Sequence, residues 1–337
     1  MKEEGKLISV LNSRPTDVPP IWLMRQAGRY LPEYRELRAK AGSFWTMCMT
    51  PKLASEITLQ PIRRFGFDAA ILFSDILVVP AALGMKVEFV DGEGPRMMPI
   101  SSSAGLRFDA AMLSPVYEAL ELVRGSLPGG TTLLGFAGAP WTLATYMAAG
   151  RGGDEQKAAK LWGYREKEDF ARLLDLLADC VAQHLARQIE AGADAVQIFD
   201  SWASGLPEAM FERWVIAPTK KIVTKLRTIH PKALVIGFPR AATLQGYERY
   251  AKETGVDAVS LDTAAPMGWA ARTLPVPIQG NLDPIALIAG GRALHAGVDA
   301  ILEATRGVPF VFNLGHGILP ETPIAHVEEL IARVRAA

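Results

Sequence analysis

The chain has 337 residues, 49% of them apolar, and its 36 Lys and Arg balance its 36 Asp and Glu, so the formal net charge is zero. With no basic excess and no basic run, the composition excludes a general nucleic-acid binder, and any anionic ligand would have to be held by local arginines. No apolar run approaches the roughly 20 residues that span a bilayer, and the start Met1-Lys2-Glu3-Glu4-Gly5-Lys6 is mixed in charge rather than a signal segment. Together these predict a soluble cytoplasmic protein.

The two cysteines, Cys48 and Cys180, make neither a disulfide framework nor a CxxC zinc pair, and read as buried thiols. The length is large for one domain but ordinary for a barrel of alternating strands and helices. After an amphipathic start (Leu7, Ile8, Leu11), Pro19-Pro20 leads into a first strand expected at 20–24. The loop that follows, Met24 to Tyr34, sets Arg25 and Arg29 around the small-residue turn Ala27-Gly28. A guanidinium fork suits carboxylates and phosphates. The loop therefore reads either as an anion site or as ordinary solvated surface. Helices are expected over 32–41 and 51–65, the second with Pro51 in its first turn and Thr50 as its cap.

One unit then recurs. Phe65-Gly66-Phe67-Asp68-Ala69-Ala70-Ile71, Ala191-Gly192-Ala193-Asp194-Ala195-Val196 and Thr254-Gly255-Val256-Asp257-Ala258-Val259 each close a helix with glycine and enter a short apolar strand through Asp-Ala. A fourth match, Gly297-Val298-Asp299-Ala300, continues into a helical pattern and reads as helix. Further strands are expected at 133–137, 234–238, 276–280 and 309–314, with helices such as 170–190 and 218–229 between them. Near-continuous apolar strands alternating with helices predict a parallel sheet covered on both faces. Eight such units predict an α/β fold, a (β/α)8 TIM barrel over residues 1–337, with residues 84–130 as an elaborated crossover. An open doubly wound sheet lacks its signature, since no GxGxxG or GxxxxGK[ST] follows a strand.

In such a barrel the active site lies at the C-terminal strand ends. There the sequence places Arg25 and Arg29, Ser74-Asp75, Gly138-Ala139-Pro140-Trp141-Thr142 with Tyr146 a turn later, Asp200-Ser201-Trp202, Pro239-Arg240, Asp262, Asn281-Leu282-Asp283, and Asn313-Leu314-Gly315-His316-Gly317. Asp283 before Pro284 reads as a helix cap, and Asp200 and Asp262 read equally as caps or ion-pair partners. Tyr146 could instead be buried against the barrel. His316 between two glycines is the functional candidate among the histidines, whereas His184, His230, His295 and His326 fall on helices, where a surface role is expected. No HExxH, Ser-x-x-Lys or strand-end lysine occurs. Arginines, one acid, a tyrosine, a serine and a histidine suit a polyanionic substrate handled by orientation and electrostatics.

Met24–Tyr34, Ile71–Leu77, Gly92–Arg96, Gly138–Met147, Gly280–Pro284 and Phe312–Gly317 together resemble the uroporphyrinogen decarboxylases, in the same order and across nearly the whole chain. The resemblance implies a homodimeric (β/α)8 enzyme of porphyrin and heme biosynthesis that works without cofactor or metal. It would remove carbon dioxide from the four acetates of uroporphyrinogen III to give coproporphyrinogen III. By the same resemblance, Arg25 and Arg29 hold the substrate, with Gln26, Ala27 and Gly28 between them, and Arg38 adds a basic contact. Asp75 is the central acid, and Tyr146, Ser201 and His316 complete the site. Protonating the pyrrole ring makes it a cation that can accept the electrons left by carbon dioxide, and Asp75 would stabilise that cation. The proton donor stays open between a protonated Asp75, an arginine and a substrate carboxyl. The resemblance departs at Gly237-Phe238-Pro239-Arg240-Ala241, where many relatives carry a glycine-rich run. Two other readings are a methyltransferase on the same barrel, which would need a His and Cys zinc site, and a non-catalytic tetrapyrrole carrier, which would not need Asp75.

Overall fold

Eight apolar runs can bury both their faces by closing a sheet on itself inside a coat of helices, and the computed structural model shows this arrangement. It describes residues 5–90, 94–153 and 155–337. Gly92 and Glu93 of the Gly92–Arg96 run lie outside the described residues. In chain order the strands are β1 (Ala69–Ile71), the hairpin β2 (Val87–Val90) and β3 (Gly94–Met97), β4 (Thr132–Gly138), β5 (Ala195–Asp200), β6 (Val235–Pro239), β7 (Ala258–Ser260), β8 (Ile278–Leu282) and β9 (Phe310–Leu314). Seven of them form a parallel sheet in the order β1-β4-β5-β6-β7-β8-β9.

The eighth stave is shorter than the 20–24 strand expected. Residues 20–22 bond on one side to β9, through Phe312 N to Pro20 O at 2.9 Å and Trp22 N to Phe312 O at 3.3 Å. On the other side Asp68 N donates to Ile21 O at 3.0 Å. The chain then leaves the ladder, because Leu23 and Met24 give their N–H groups to the side chains of Gln26 and Asn313. This segment closes the barrel. The match at Gly297 lies in the helix Gly291–Ala304, as the sequence pattern indicates.

The repeated aspartate has a definite task. Asp68, Asp194 and Asp257 each sit just before a strand and form a reciprocal clamp with the preceding stave of the ring. Asp68 Oδ2 accepts from Ile21 N at 2.9 Å. Asp194 Oδ2 accepts from Leu133 N at 2.7 Å and Asp257 Oδ2 from Val235 N at 2.7 Å. The N–H groups of Asp194 and Asp257 donate back to Leu133 O and Val235 O, both at 2.8 Å. Arg124 and Arg227 brace the second and third carboxylates. The barrel is therefore stapled pairwise at its N-terminal rim.

The barrel interior is largely apolar and contains a hydrogen-bonded layer. Trp22 Nε1 donates to Gln279 Oε1 at 3.0 Å, and Gln279 Nε2 donates to Gln197 Oε1 at 3.1 Å and Ser260 Oγ at 3.0 Å. All four residues are fully buried, and their mutual bonds offset part of the cost of burying amides, with Gln197 Nε2 left without a partner among the described residues. Outside the barrel, the helix Pro51–Phe65 starts on Pro51 and ends at Gly66 in the left-handed region (φ +63°). Thr50 occupies the cap position but makes no side-chain cap bond, contrary to the expectation. His184, expected at the surface, is only 2% exposed on the helix Lys167–Glu190 and lies 3.1 Å from Tyr117 Oη. Burial drives its pKa down to about 3, so it packs as a neutral ring. Cys48 and Cys180 are buried free thiols.

Asp68→Ala and Asp257→Ala each leave a strand N–H without its acceptor, which costs about 1–3 kcal/mol. Urea unfolding should show a lower midpoint with an unchanged slope for both variants. A midpoint equal to the parent's would show that the clamps are dispensable.

Candidate active site

The arginine loop is built from beneath. Gln26 is fully buried, and its Oε1 accepts from Leu23 N at 3.0 Å while its Nε2 donates to Ala69 O at 3.0 Å. Its N–H bonds Leu23 O and its carbonyl accepts from Tyr30 Oη at 2.8 Å. The side-chain oxygen, the backbone N–H and the carbonyl of Gln26 all bond within the protein, so Gln26 supports the loop from beneath. Above it, Arg25 and Arg29 are exposed, and Arg25 adopts φ +61°. Among the described residues, the N–H groups of Ala27, Gly28 and Arg29 donate to no protein acceptor. Neither Arg25 nor Arg29 forms an ion pair there.

The loop is tied to the last strand. Ile318 N donates to Met24 O at 2.9 Å, and Asn313 Oδ1 accepts from Met24 N at 2.9 Å. The Arg25 side chain lies directly on Gly317: a Cβ there would stand 2.3 Å from Arg25 Cδ. His316, beside it, is half-buried, and its Nδ1 has no partner among the described residues. Burial, and then the charges of Arg25 and Arg240, lower the His316 pKa to about 3. The ring is neutral at physiological pH and offers one donor and one acceptor.

Asp75 faces this group from the turn after β1. Its Oδ1 accepts from Leu77 N at 2.8 Å. Burial pushes its pKa from 3.8 up to about 6, opposed by the Leu77 N–H and by the Arg25 charge. Tyr146 comes from the helix Pro140–Ala149, stacked edge-to-face on Trp202 with centroids 6.1 Å apart. Burial raises its phenol pKa, and the charges of Asp75 and Arg25 both reach it. Arg25, Asp75, Tyr146 and His316 therefore share one mouth. Ser201 is half-buried in the turn after β5. Arg38 lies on the helix Pro32–Ala41 beside the Tyr34 phenol, where the charge of Arg29 is also felt.

The other strand-end acids serve the scaffold. Asp283 caps the helix Pro284–Ala289 through Ile285 N at 2.9 Å. Asp262 accepts from Tyr247 Oη at 2.8 Å and from Ala264 N at 3.2 Å. Asp200 is buried and accepts from Thr142 Oγ1 at 2.5 Å, and burial raises its pKa to about 7. Thr142 Oγ1 in turn accepts from Trp202 N at 3.2 Å and so fixes the turn that carries Ser201.

Two features escaped the sequence reading of the site. Phe136, Phe199 and Phe238, at the ends of β4, β5 and β6, meet edge to face at 5.6 Å and 5.9 Å and lie on the inward side of the barrel. The alternation of inward residues near the strand ends was the available signal. Arg240 stood among the strand ends without being assigned to the site. Among the described residues no three His, Cys, Asp or Glu side chains gather as metal ligands. A groove of about 660 Å³ on the outer helices, lined by Tyr164, Trp214 and Lys221, includes none of these site residues.

Fold and mouth define the class: a (β/α)8 barrel whose C-terminal rim presents arginines, free N–H groups and the half-buried carboxylate of Asp75 over an aromatic floor, suited to a polyanion with an apolar body. The family model for uroporphyrinogen decarboxylase (URO-D) matches residues 2–337, and the chain belongs to that family. It is 55% identical over 337 residues to the uroporphyrinogen decarboxylase of Chelativorans sp., covering 98% of both chains. It is 54% identical over 338 residues to that of Rhizorhabdus wittichii, covering 99% of this chain and 98% of the relative. Among solved structures, a methyltransferase from Methanosarcina mazei superposes with a TM-score of 0.81 over 98% of each chain at 20% identity, a likeness of fold.

Two outcomes follow from the geometry. Folding raises the Asp75 pKa above its ordinary value, so its ionisation costs stability as the pH rises through about 6. Asp75→Asn should therefore raise the Tm near pH 8 by an amount equivalent to about 1–2 kcal/mol, allowing for solvent at the mouth, and leave it unchanged near pH 3. Thermal melts at both pH values test this, and a lower Tm near pH 8 would contradict it. Gly317→Ala should displace Arg25 and raise KM about tenfold with little loss of stability; steady-state kinetics beside a thermal melt would reveal any other pattern.

Proposed function

We propose that the chain is a uroporphyrinogen decarboxylase, removing the four acetate carboxyl groups of uroporphyrinogen III to give coproporphyrinogen III in porphyrin and heme biosynthesis. The observation that carries this reading is the convergence of Asp75, Tyr146 and a neutral His316 on the guanidinium of Arg25, whose side chain rests on Gly317. Family membership over residues 2–337 supports it.

Arg25, Arg29 and Arg38 hold peripheral carboxylates, with the N–H groups of Ala27 and Gly28 adding donors between them. The aromatic floor receives the apolar face of the macrocycle. Protonation of the pyrrole carbon next to the one bearing the acetate spreads positive charge onto the acetate-bearing carbon. The bond to the carboxylate then breaks, its electron pair forms an exocyclic double bond, and carbon dioxide leaves. Proton addition to that methylene and loss of the ring proton leave a methyl group, so each cycle consumes one proton.

Asp75 acts on the cation. With a pKa near 6 it is ionised at neutral pH, and its buried oxygens lack full hydration. It therefore binds pyrrole N–H groups and stabilises the positive ring. Opposite charges about 4 Å apart interact by about 4 kcal/mol at an effective dielectric near 20, close to a thousandfold in rate. Orientation by the arginines supplies further acceleration. Arginines titrate above about 12, so they serve as clamps. Tyr146, Ser201 and His316 contribute neutral hydrogen bonds to substrate.

The reading includes one barrel unit spanning the chain, working as a homodimer in the cytoplasm. Support comes from the family resemblance and from the absence of any helix, among the described residues, long and apolar enough to cross a membrane. Asp75→Asn should lower kcat about a thousandfold or more, and a chelator should leave the parent rate unchanged. Assays with chemically reduced uroporphyrinogen test both, and a fully active Asn variant would remove the cation role. Sedimentation of the purified chain tests the dimer.

A further inference from the structure

The departure at residues 237–241 places a third strand-end arginine at the mouth. Arg240 follows β6 directly, and its N–H bonds Asp200 O at 3.1 Å and Phe238 O at 3.0 Å. The next residue, Ala241, turns the chain away at φ +56°. The backbone of Arg240 is thus fixed against β5 beside the turn that carries Ser201. In ring order from the closing segment through β1, β4 and β5, β6 is the fifth of eight staves, opposite the first, from which Arg25 and Arg29 emerge. Arg240 is half-buried and forms no ion pair among the described residues. Its charge reaches His316 together with that of Arg25, which comes from the opposite stave.

Gathering like charges around a mouth with one carboxylate costs free energy that an anionic ligand removes. The nearest other acids, Asp200 and Asp262, are buried and bonded to Thr142 and Tyr247. We propose that Arg240 is a substrate-binding residue that takes a peripheral carboxylate of the macrocycle on the wall opposite Arg25 and Arg29. The inference rests on the decarboxylase reading above. A macrocycle with carboxylates all round its edge, held from one wall only, would be free to tilt over the aromatic floor. A clamp on the opposite wall fixes it in the plane that presents its N–H groups to Asp75.

The test compares the parent enzyme with Arg240→Gln and Arg240→Lys, using reduced uroporphyrinogen over a range of concentrations. The proposal expects Arg240→Gln to raise KM about 10–100-fold with kcat within about threefold, the pattern of a lost binding contact. Arg240→Lys keeps the charge and should recover most of the loss. A KM within about twofold of the parent for a folded Arg240→Gln protein would overturn the proposal. So would equal loss in the Gln and Lys variants, which marks a structural role. If Arg240→Gln does not fold, the Lys variant decides alone: a KM between the parent's and tenfold above it, with kcat retained, supports the contact, and a loss of kcat at unchanged KM refutes it. A parent enzyme that leaves uroporphyrinogen intact would refute the decarboxylase reading itself, an outcome separate from any effect of Arg240.

Discussion

A parallel barrel has no stable half-finished form, because an unclosed edge leaves a row of strand N–H and C=O groups without partners. Closure here depends on a very short contact, the segment 20–22 between β9 and the start of β1. Three reciprocal aspartate clamps compensate for short ladders, since β1 and β7 are only three residues long. Each clamp fixes register at the N-terminal rim, where the strand begins. The opposite rim is thereby free to carry functional residues in its turns.

The same economy governs the mouth. β1 ends opposite Leu134, so the outward-facing groups of Phe136 on that side have no strand partner. Gln188, from the helix Lys167–Glu190, supplies both missing bonds at 2.8 Å. The early end of β1 lets the chain swing out to place Asp75. Burial that raises the Asp75 pKa and the nearby charge of Arg25 that lowers it act in opposition. The result is a carboxylate that remains ionised at neutral pH yet is poorly solvated, a condition suited to meeting a cation that exists only transiently.

Much of this was legible in the residues. The Gly-x-Asp-Ala units and the apolar runs located the staves, and reading the strand ends located Arg25, Asp75, Tyr146, Ser201 and His316. Other features were not legible there. Gln26 stands between two arginines, and nothing in its neighbours shows that its amide meets two backbone groups under the loop. His184 looked superficial because helical position alone does not reveal which face packs inward. Gln197 and Gln279 sit in apolar runs, and only the closed ring shows that their side chains meet. Thr50 has the right position for a cap without making the bond. For His184, Gln197 and Gln279 the deciding partner is remote in sequence, as with the 257 positions that separate Trp22 from Gln279.

Gly317 joins these themes. The space left by its missing side chain is filled by the methylenes of Arg25, so an arginine from the first stave rests on the last one. The joint that closes the barrel and the seat of that arginine therefore lie side by side. A local parting between segment 20–22 and β9 costs less than global unfolding, because few ladder bonds cross it. A polycarboxylate held by Arg25 works against that parting, so such a ligand protects the protein against heat through the joint it spans.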